Sequence, residues 1–329
     1  MVRASILPFR EECLRYGASY VFTEELIDKK VINSFPEVCD DGTVLFLTEK
    51  DKGRTVQFNP KSSSRTILQV GTADGVLASK AALKLIEYVS EVNVNMGCPK
   101  PFSISGGMGA ALLSKPELAR DIVKTLRSEL PEGYPLSCKI RYLGENSDYT
   151  QMLRRTSEFI VGLIDAGADS ITVHMRTVPM RPREPAIWSV FTDLLHAIPS
   201  THSRVPIIAN GDFFERSKIN KFREMVSLGM CETGRSWSDS VMIGRGAMWN
   251  PSIFSAENPV APEMVVNDFF DACLKYNEPK PSVKWSLSQM MEGTTTLWGR
   301  PMKEIRDLVY QAKALDDLQN AIRPPLTTL

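Results

Sequence analysis

The sequence places one cysteine where it can react: Asn93-Val94-Asn95-Met96-Gly97-Cys98-Pro99. Cys98 follows an apolar, strand-like run, with a glycine before it and a proline after it. That context puts the thiol in a strand-end loop, where ligands are met, and not in a packed interior. With a reference pKa of about 8.5, a cysteine at neutral pH is mainly a protonated thiol, able to serve as a general acid as well as a nucleophile. Polar residues close the other apolar runs as well: Gln69, Asn95, Lys139, His174, then Asn210-Gly211-Asp212 and Gly244-Arg245-Gly246. Any one of these is explained by a strand end facing water, but six in succession imply a shared pocket. The last two clusters combine glycines, which let backbone N–H groups approach an anion, with the charge of Arg245, and so point to a bound phosphate. Lys139 and His174 fall deeper in the set. They either stabilise negative charge on a bound cofactor or are a snorkelling lysine and a satisfied structural histidine. Gly106-Gly107-Met108-Gly109 lacks the third glycine of a dinucleotide fingerprint and does not open a helix directly after a strand. It reads as a mobile loop beside Cys98.

Positioning these residues requires a repeated strand, helix, strand unit. Apolar, β-branched runs recur at Tyr20–Phe22, Thr66–Val70, Val92–Asn95, Leu136–Ile140, Ser170–Val173, Val205–Ala209 and Ser240–Ile243, each followed by a segment of helical period. Ser114 with Glu117 reads as a capping box, and Gly167 and Gly229 sit where helices should end. Seven units of this kind imply parallel strands with crossover helices, closed as a barrel with its active site at the strands' C-terminal ends. Val44–Thr48 and Thr55–Phe58 form an inserted hairpin. After Ile243 the alternation stops. A stretch interrupted by Pro251, Pro259 and Pro262 leads into helical-period sequence, so the expected division is a barrel over 1–258 and a small helical domain over 259–329, with the boundary near Asn258.

Lys plus Arg and Asp plus Glu number 39 each, so the whole-chain field predicts neither a nucleic-acid nor a membrane partner, and any RNA-binding surface must be local. The six cysteines are scattered, with no C-x-x-C pair and no His at zinc-ligand spacing, which predicts reduced thiols and no metal. No run approaches the roughly 18 apolar residues of a membrane span, and the N-terminus lacks a signal-peptide core. The expectation is a soluble protein of the cytoplasm or nucleus.

Asn-Met-Gly-Cys-Pro at 95–99, Cys-Lys-Ile-Arg at 138–141 and Val-His-Met-Arg at 173–176 resemble the tRNA dihydrouridine synthases. Leu7-Pro8-Phe9-Arg10, Tyr16-Gly17-Ala18 and Thr23-Glu24-Glu25-Leu26-Ile27-Asp28 resemble the eukaryotic branch that modifies uridine 20 of the tRNA D-loop. The resemblance implies a TIM-type (β/α)8 barrel in which Gln69, Lys139, His174, Asn210, Gly211, Asp212, Gly244 and Arg245 contact FMN. It further implies that Asn95 and Arg176 face the uracil ring. NADPH or NADH reduces FMN, hydride passes from the flavin to C6 of uracil, and Cys98 donates a proton to C5. The partner implied is tRNA, gripped by the helical tail, with Arg176, Arg181 and Arg183 as a local basic patch or simply a solvated loop; no obligate protein partner is implied.

Two departures stand out. The third motif reads His-Met-Arg where the family more often has His-Gly-Arg. The family's first strand ends in Ala-Pro-Met, and Met1 falls where that FMN-contacting Met would be, so the first barrel strand is expected to be truncated and the barrel seam open and strained. Two rivals remain: an FMN barrel acting on free pyrimidines, of the dihydroorotate or dihydropyrimidine dehydrogenase kind, and a truncated, non-catalytic tRNA-binding protein.

Overall fold

Each apolar run becomes a strand in the computed structural model, which describes residues 4–49, 53–145, 148–231, 239–256, 260–293, 295–297 and 299–323. The strands are β1 (Val21–Ile27), β2 (Ser34–Val38), β3 (Val44–Thr48), β4 (Arg54–Phe58), β5 (Thr66–Gly71), β6 (Glu91–Asn95), β7 (Leu136–Tyr142), β8 (Ser170–Thr177), β9 (Ile207–Asn210) and β10 (Val241–Met242). Seven of them form one parallel sheet in the order β1-β5-β6-β7-β8-β9-β10. Helices Gly75–Leu85, Pro116–Glu129, Tyr149–Asp165, Phe191–Ala197 and Arg216–Cys231 make the crossovers. This is a TIM-type β/α architecture with an open seam: β1 and β10 are the ends of the sheet and do not pair with each other among the described residues. Met1 lies outside the described residues.

The sheet has two different faces, as the two-residue period of a strand allows. Leu68, Val70, Val92, Val94, Ile140, Ile171 and Val173 are fully buried in one apolar cluster with the crossover-helix residues Ala78, Ile122, Leu163 and Phe222. The alternate positions are polar: Thr23 and Glu25, Gln69, Asn93 and Asn95, Ser137, Lys139 and Arg141, Thr172, His174 and Arg176, then Asn210. Register aligns them in tiers, Glu25 with Gln69, Gln69 with Asn93, Asn93 with Ser137, Asn95 with Lys139, Arg141 with His174 and His174 with Asn210. Neighbouring side chains satisfy one another across the strands. Gln69 Nε2 donates to Asn93 Oδ1 at 3.1 Å, and Asn93 Nδ2 donates to Ser137 Oγ at 2.8 Å. Buried polar groups are tolerated only with such partners.

Several local expectations are corrected. The expected hairpin is a three-stranded antiparallel sheet, because Ser34–Val38 adds an edge strand to β3. Ser114 and Glu117 do not form a capping box: helix Pro116–Glu129 is capped at Lys115 without a side-chain bond, Ser114 Oγ donates to the Ala111 carbonyl, and Glu117 pairs with Arg120. Pro116 starts that helix instead, at a position where its missing N–H costs nothing. Gly167, at φ +109°, follows helix Tyr149–Asp165 as expected. Gly229 lies inside helix Arg216–Cys231, where a Cβ would stand 2.6 Å from Thr192 Cγ2. Its smallness serves helix packing, not helix ending.

Helices Pro262–Lys275, Lys280–Met290, Met302–Gln311 and Leu315–Ile322 enclose a second apolar cluster around Phe269, Phe270, Leu287, Ile305 and Leu318. Ile6 belongs to this cluster, and Phe9, on the first helix (Leu7–Arg15), packs against both cores. The two units are therefore joined through the N-terminal segment as well as through the linker. The expected boundary near Asn258 lies outside the described residues. No described helix is long and apolar enough to cross a membrane.

Candidate active site

Cys98 sits in a loop pinned from both sides. Asn95, the last residue of β6, accepts hydrogen bonds at Oδ1 from the Gly97 N–H (3.0 Å) and the Cys98 N–H (3.1 Å). Arg141 on β7 donates from Nε to the Gly97 carbonyl at 2.8 Å. Gly97 has little room: a Cβ there would stand 3.3 Å from the Ile140 carbonyl carbon. Gly109, at φ +57°, presses on the other side, and a Cβ there would lie 2.7 Å from the Cys98 carbonyl oxygen. The glycines after Cys98 thus allow close packing of short helix Pro101–Ser105 and the following turn, in place of the mobile loop expected from sequence. The thiol itself is half-buried. Burial, and then the neighbouring Glu25 carboxylate, push its pKa up from the ordinary value.

Lys139 is the register partner of Asn95 and faces the same mouth. Its ammonium has no hydrogen-bond or ion-pair partner among the described residues. Burial, and next the Arg141 guanidinium, lower its pKa to about 7. His174 lies one strand further round, held neutral by burial and by the cations Lys139, Arg141, Arg176 and Arg245. Arg176 Nη1 lies 3.1 Å from His174 Nε2, and a guanidinium only donates, so Nε2 is the acceptor and Nδ1 carries the hydrogen. Four cations against the two carboxylates Glu25 and Asp212 make this mouth locally positive in a chain of zero net charge.

Asp212, in the left-handed region at φ +59°, is the hub of the far side. Its carboxylate takes Arg176 Nη2 at 2.7 and 2.6 Å, Arg245 Nη2 at 2.7 Å and the Ala186 N–H at 2.7 Å. Arg245 also lies over the Phe214 ring, 4.9 Å from its centroid. Gly211, at φ +136°, passes so close that a Cβ would stand 3.0 Å from Ala186 Cβ, and Gly246 is closer still to the Phe213 carbonyl.

The residues expected from sequence separate into three groups. Cys98, Asn95, Lys139 and His174 share the mouth. Gln69 lies below it, 5% exposed, with Nε2 on Asn93 and Oε1 accepting from Asn95 Nδ2 at 3.3 Å. Asn210, Gly211, Asp212, Gly244 and Arg245 form the far rim, where Asn210 Nδ2 ties β9 to β10 through the Met242 carbonyl at 2.8 Å. Arg176, expected to face a substrate ring, is 2% exposed and fully engaged with Asp212 and the carbonyls of Glu184 and Pro182. It is therefore not part of a surface patch with the exposed Arg181 and Arg183. Two residues of the site were missed: Arg141, which braces the Cys98 loop, and Glu25, which faces the thiol from β1. Both lie on the strand parity of known mouth residues, and that parity was the signal.

The sequence pattern of the family described as "Dihydrouridine synthase (Dus)" matches residues 1–292. The chain is 32% identical over 327 residues to the tRNA-dihydrouridine(20) synthase [NAD(P)+] of Schizosaccharomyces pombe, covering 98% of this chain and 63% of that protein. It is 31% identical over 347 residues to the enzyme of the same name from Saccharomyces cerevisiae, covering 99% of this chain and 85% of that one.

Proposed function

The chain belongs to the dihydrouridine synthase family, and from that premise we propose that it reduces uridine in tRNA, at position 20 of the D-loop, to 5,6-dihydrouridine. The observation that carries this reading is the juxtaposition of a half-buried thiol, in the loop pinned by Asn95 at the end of β6, with an unpartnered lysine on β7 that is the register partner of Asn95. The donor set suits FMN. Lys139 is a cation lacking a partner, the mouth is locally positive, and Gly211 and Gly246 form a rim with no space for a Cβ. Lys139, His174, Asn210, Gly211, Gly244 and Arg245 would hold it. Bound FMN supplies the hydride delivered to C6 of uracil, drawn in turn from NADPH or NADH.

The chain's own residues do the rest. A base inside folded tRNA must be extruded into a pocket before any group reaches it, and the barrel mouth receives it. Asn95 and Arg141 fix the loop so that the Cys98 sulfur faces the ring. The Cys98 S–H bond breaks as a C5–H bond forms, and the thiolate then regains a proton from solvent. The helical unit over 259–329 is the surface assigned to the tRNA body.

The test is the full chain with NADPH and tRNA lacking dihydrouridine, the product being counted by mass spectrometry of digested nucleosides. Dihydrouridine formed at position 20 is the expected result. Turnover of free uracil or orotate without turnover of tRNA would assign a small-molecule enzyme instead, and a colourless protein that binds tRNA would assign a non-catalytic one.

A further inference from the structure

Of the fourteen phenylalanines in the chain, Phe102 alone is exposed, at 46%. Ile104 is 43% exposed, and both stand on the short helix Pro101–Ser105 that follows Cys98. The other side of that helix is fixed. Ser103 is fully buried, and a Cβ on Gly109 would press on Ser103 Oγ while standing 3.0 Å from Cys98 Cβ. The Met108 N–H donates to the Ser103 carbonyl at 2.9 Å, and the Ala110 N–H donates to the Cys98 carbonyl at 2.9 Å. The turn after the helix rests on the loop that follows β5, where a Cβ on Gly107 would lie 3.4 Å from Ala73 Cβ. The Phe102 ring is therefore carried on a fixed backbone at the rim of the mouth, in water and without a ring contact among the described residues. Further round the rim the exposed groups are cationic. The Pro182 carbonyl is held over the far rim by Arg176 Nη2 at 3.3 Å and Arg245 Nη1 at 3.4 Å. Arg181 and Arg183, on either side of it, are exposed and have no ion pair among the described residues. Glu184, the acid of this loop, accepts from the Arg181 backbone N–H at 2.6 Å.

We propose that Phe102 is a stacking platform for a base next to the extruded uridine, and that Arg181 and Arg183 contact phosphates of the same RNA segment. The inference deepens the tRNA reading given above and rests on it. An uncovered ring and unpaired guanidinium groups around one mouth are the means by which unpaired nucleic acid is held: bases stack on the aromatic face, and cations follow the backbone. The need arises from the reaction. Extruding a uridine breaks its stacking on its neighbours, and a neighbour laid on Phe102 regains an aromatic face. Ile104 extends the apolar edge beside the ring. The charge is complementary as well, since the cations stand exposed at the rim of a chain whose net charge is zero. Phosphate contacts place the segment without reading its sequence, so the ring and the arginines contribute separable terms to binding.

The experiment titrates an unmodified tRNA transcript with the flavin-loaded full chain, without NADPH, over a series of salt concentrations. Phe102→Ala should weaken binding roughly five- to a hundredfold, the worth of one base stacked on a ring, with the salt dependence unchanged because no charge is lost. Phe102→Trp should bind at least as tightly as the wild type, while Phe102→Leu, apolar but without a ring, should bind like Phe102→Ala. Replacing Arg181 and Arg183 together by Ala should instead flatten the slope of log affinity against log salt by about 1.4, roughly 0.7 for each phosphate contact to a single strand. Wild-type affinity in Phe102→Ala overturns the stacking role, as does wild-type affinity in Phe102→Leu, which also decides the matter if the alanine variant does not fold. An unchanged slope in the double arginine variant overturns the phosphate role. A dimer of the wild type that Phe102→Ala abolishes, with tRNA binding intact, overturns the proposal and gives the ring to a second copy of the chain. A wild-type chain that does not bind tRNA sinks the functional reading itself, whereas tight binding shared by every variant sinks this inference alone.

Discussion

The inner and outer faces of the seven-stranded sheet are built from alternate residues of the same strands, yet they obey opposite rules. On the outer face, Leu68, Val70, Val92, Val94, Cys138, Ile140, Ile171, Val173, Ile207 and Ala209 are all 5% exposed or less and pack on helices. Each large side chain there stabilises the fold by roughly 1.5–3 kcal/mol. On the inner face, where barrels are commonly filled with branched apolar residues, amides, hydroxyls, an unpartnered lysine and an acid without an ion pair stand instead. Their hydrogen bonds at most compensate for lost hydration. The sheet therefore draws its stability from one parity and its chemistry from the other, and substitutions on the two faces should separate accordingly.

The largest expected effect lies at the mouth. Cys98→Ala should lower dihydrouridine formation by about 10²–10⁴-fold, the usual worth of a positioned acid, while bound flavin and melting temperature stay at wild-type values. Multiple-turnover assays with a nucleoside readout, beside a thermal scan, measure both. A variant with wild-type turnover removes Cys98 from the mechanism.

Next comes the outer face. Leu68→Ala should cost about 2–5 kcal/mol of stability, by lost burial and a residual cavity, with kcat unchanged while the protein remains folded. A urea titration gives the first quantity and a low-temperature assay the second. Should kcat collapse with stability intact, the division between the faces is wrong.

Asp212 tests a residue that joins the two roles. Asp212→Ala leaves Arg176 buried without its counter-charge and Arg245 half-exposed, and the exposed half limits the loss to about 2–3 kcal/mol. Asp212→Asn keeps a residue tolerant of positive φ and should recover part of it. Flavin should bind more weakly to both, because Arg245 loses the contact that orients it. The observable pair is the urea midpoint and the flavin dissociation constant, and a midpoint unchanged in Asp212→Ala would show that the two arginines find other partners.

Much of this was legible in the sequence because the strand period was. Thr66–Val70, Val92–Asn95 and Leu136–Ile140 fall within strands β5, β6 and β7, and the polar residues that close the runs lie on one inner face, with Asn95, Lys139 and His174 at the mouth and Gln69 below it. Asn93 and Asn95, of a residue type that strands disfavour, stand on the inward face, where Gln69 and Ser137 satisfy them. What was not legible depended on partners distant in sequence. Arg176 belongs to a strand end like His174, but Asp212, 36 positions on, holds its guanidinium in a buried ion pair. Glu25 was read as part of a motif and not as a neighbour of Cys98, since no local pattern tells which loop β1 will face. The edge strand β2 escaped because Pro36 interrupts its run, and edge strands are where prolines are accepted.

The smallest effect expected concerns a proton. The Lys139 ammonium, without an anionic partner, has its pKa lowered to about 7, first by burial and then by Arg141. A hydrogen-bond acceptor of the flavin ring placed against it would favour the ammonium form and raise that pKa again. Binding above pH 7 must therefore take up a proton, and below pH 6 it need not, because Lys139 is already charged. His174 contributes nothing in this range, since burial and four surrounding cations hold its ring neutral. Uptake should approach roughly one proton per site at pH 8, and affinity should weaken about tenfold between pH 7 and pH 8, one pKa unit being tenfold. Calorimetric titration of flavin-stripped protein with FMN in two buffers of different ionisation enthalpy counts the protons directly. The phosphate of FMN has its own second ionisation near about pH 6, so Lys139→Met is the control that subtracts it. Identical proton counts in wild type and Lys139→Met would mean that Lys139 does not meet the flavin, and would move the cofactor to the far rim around Asp212 and Arg245.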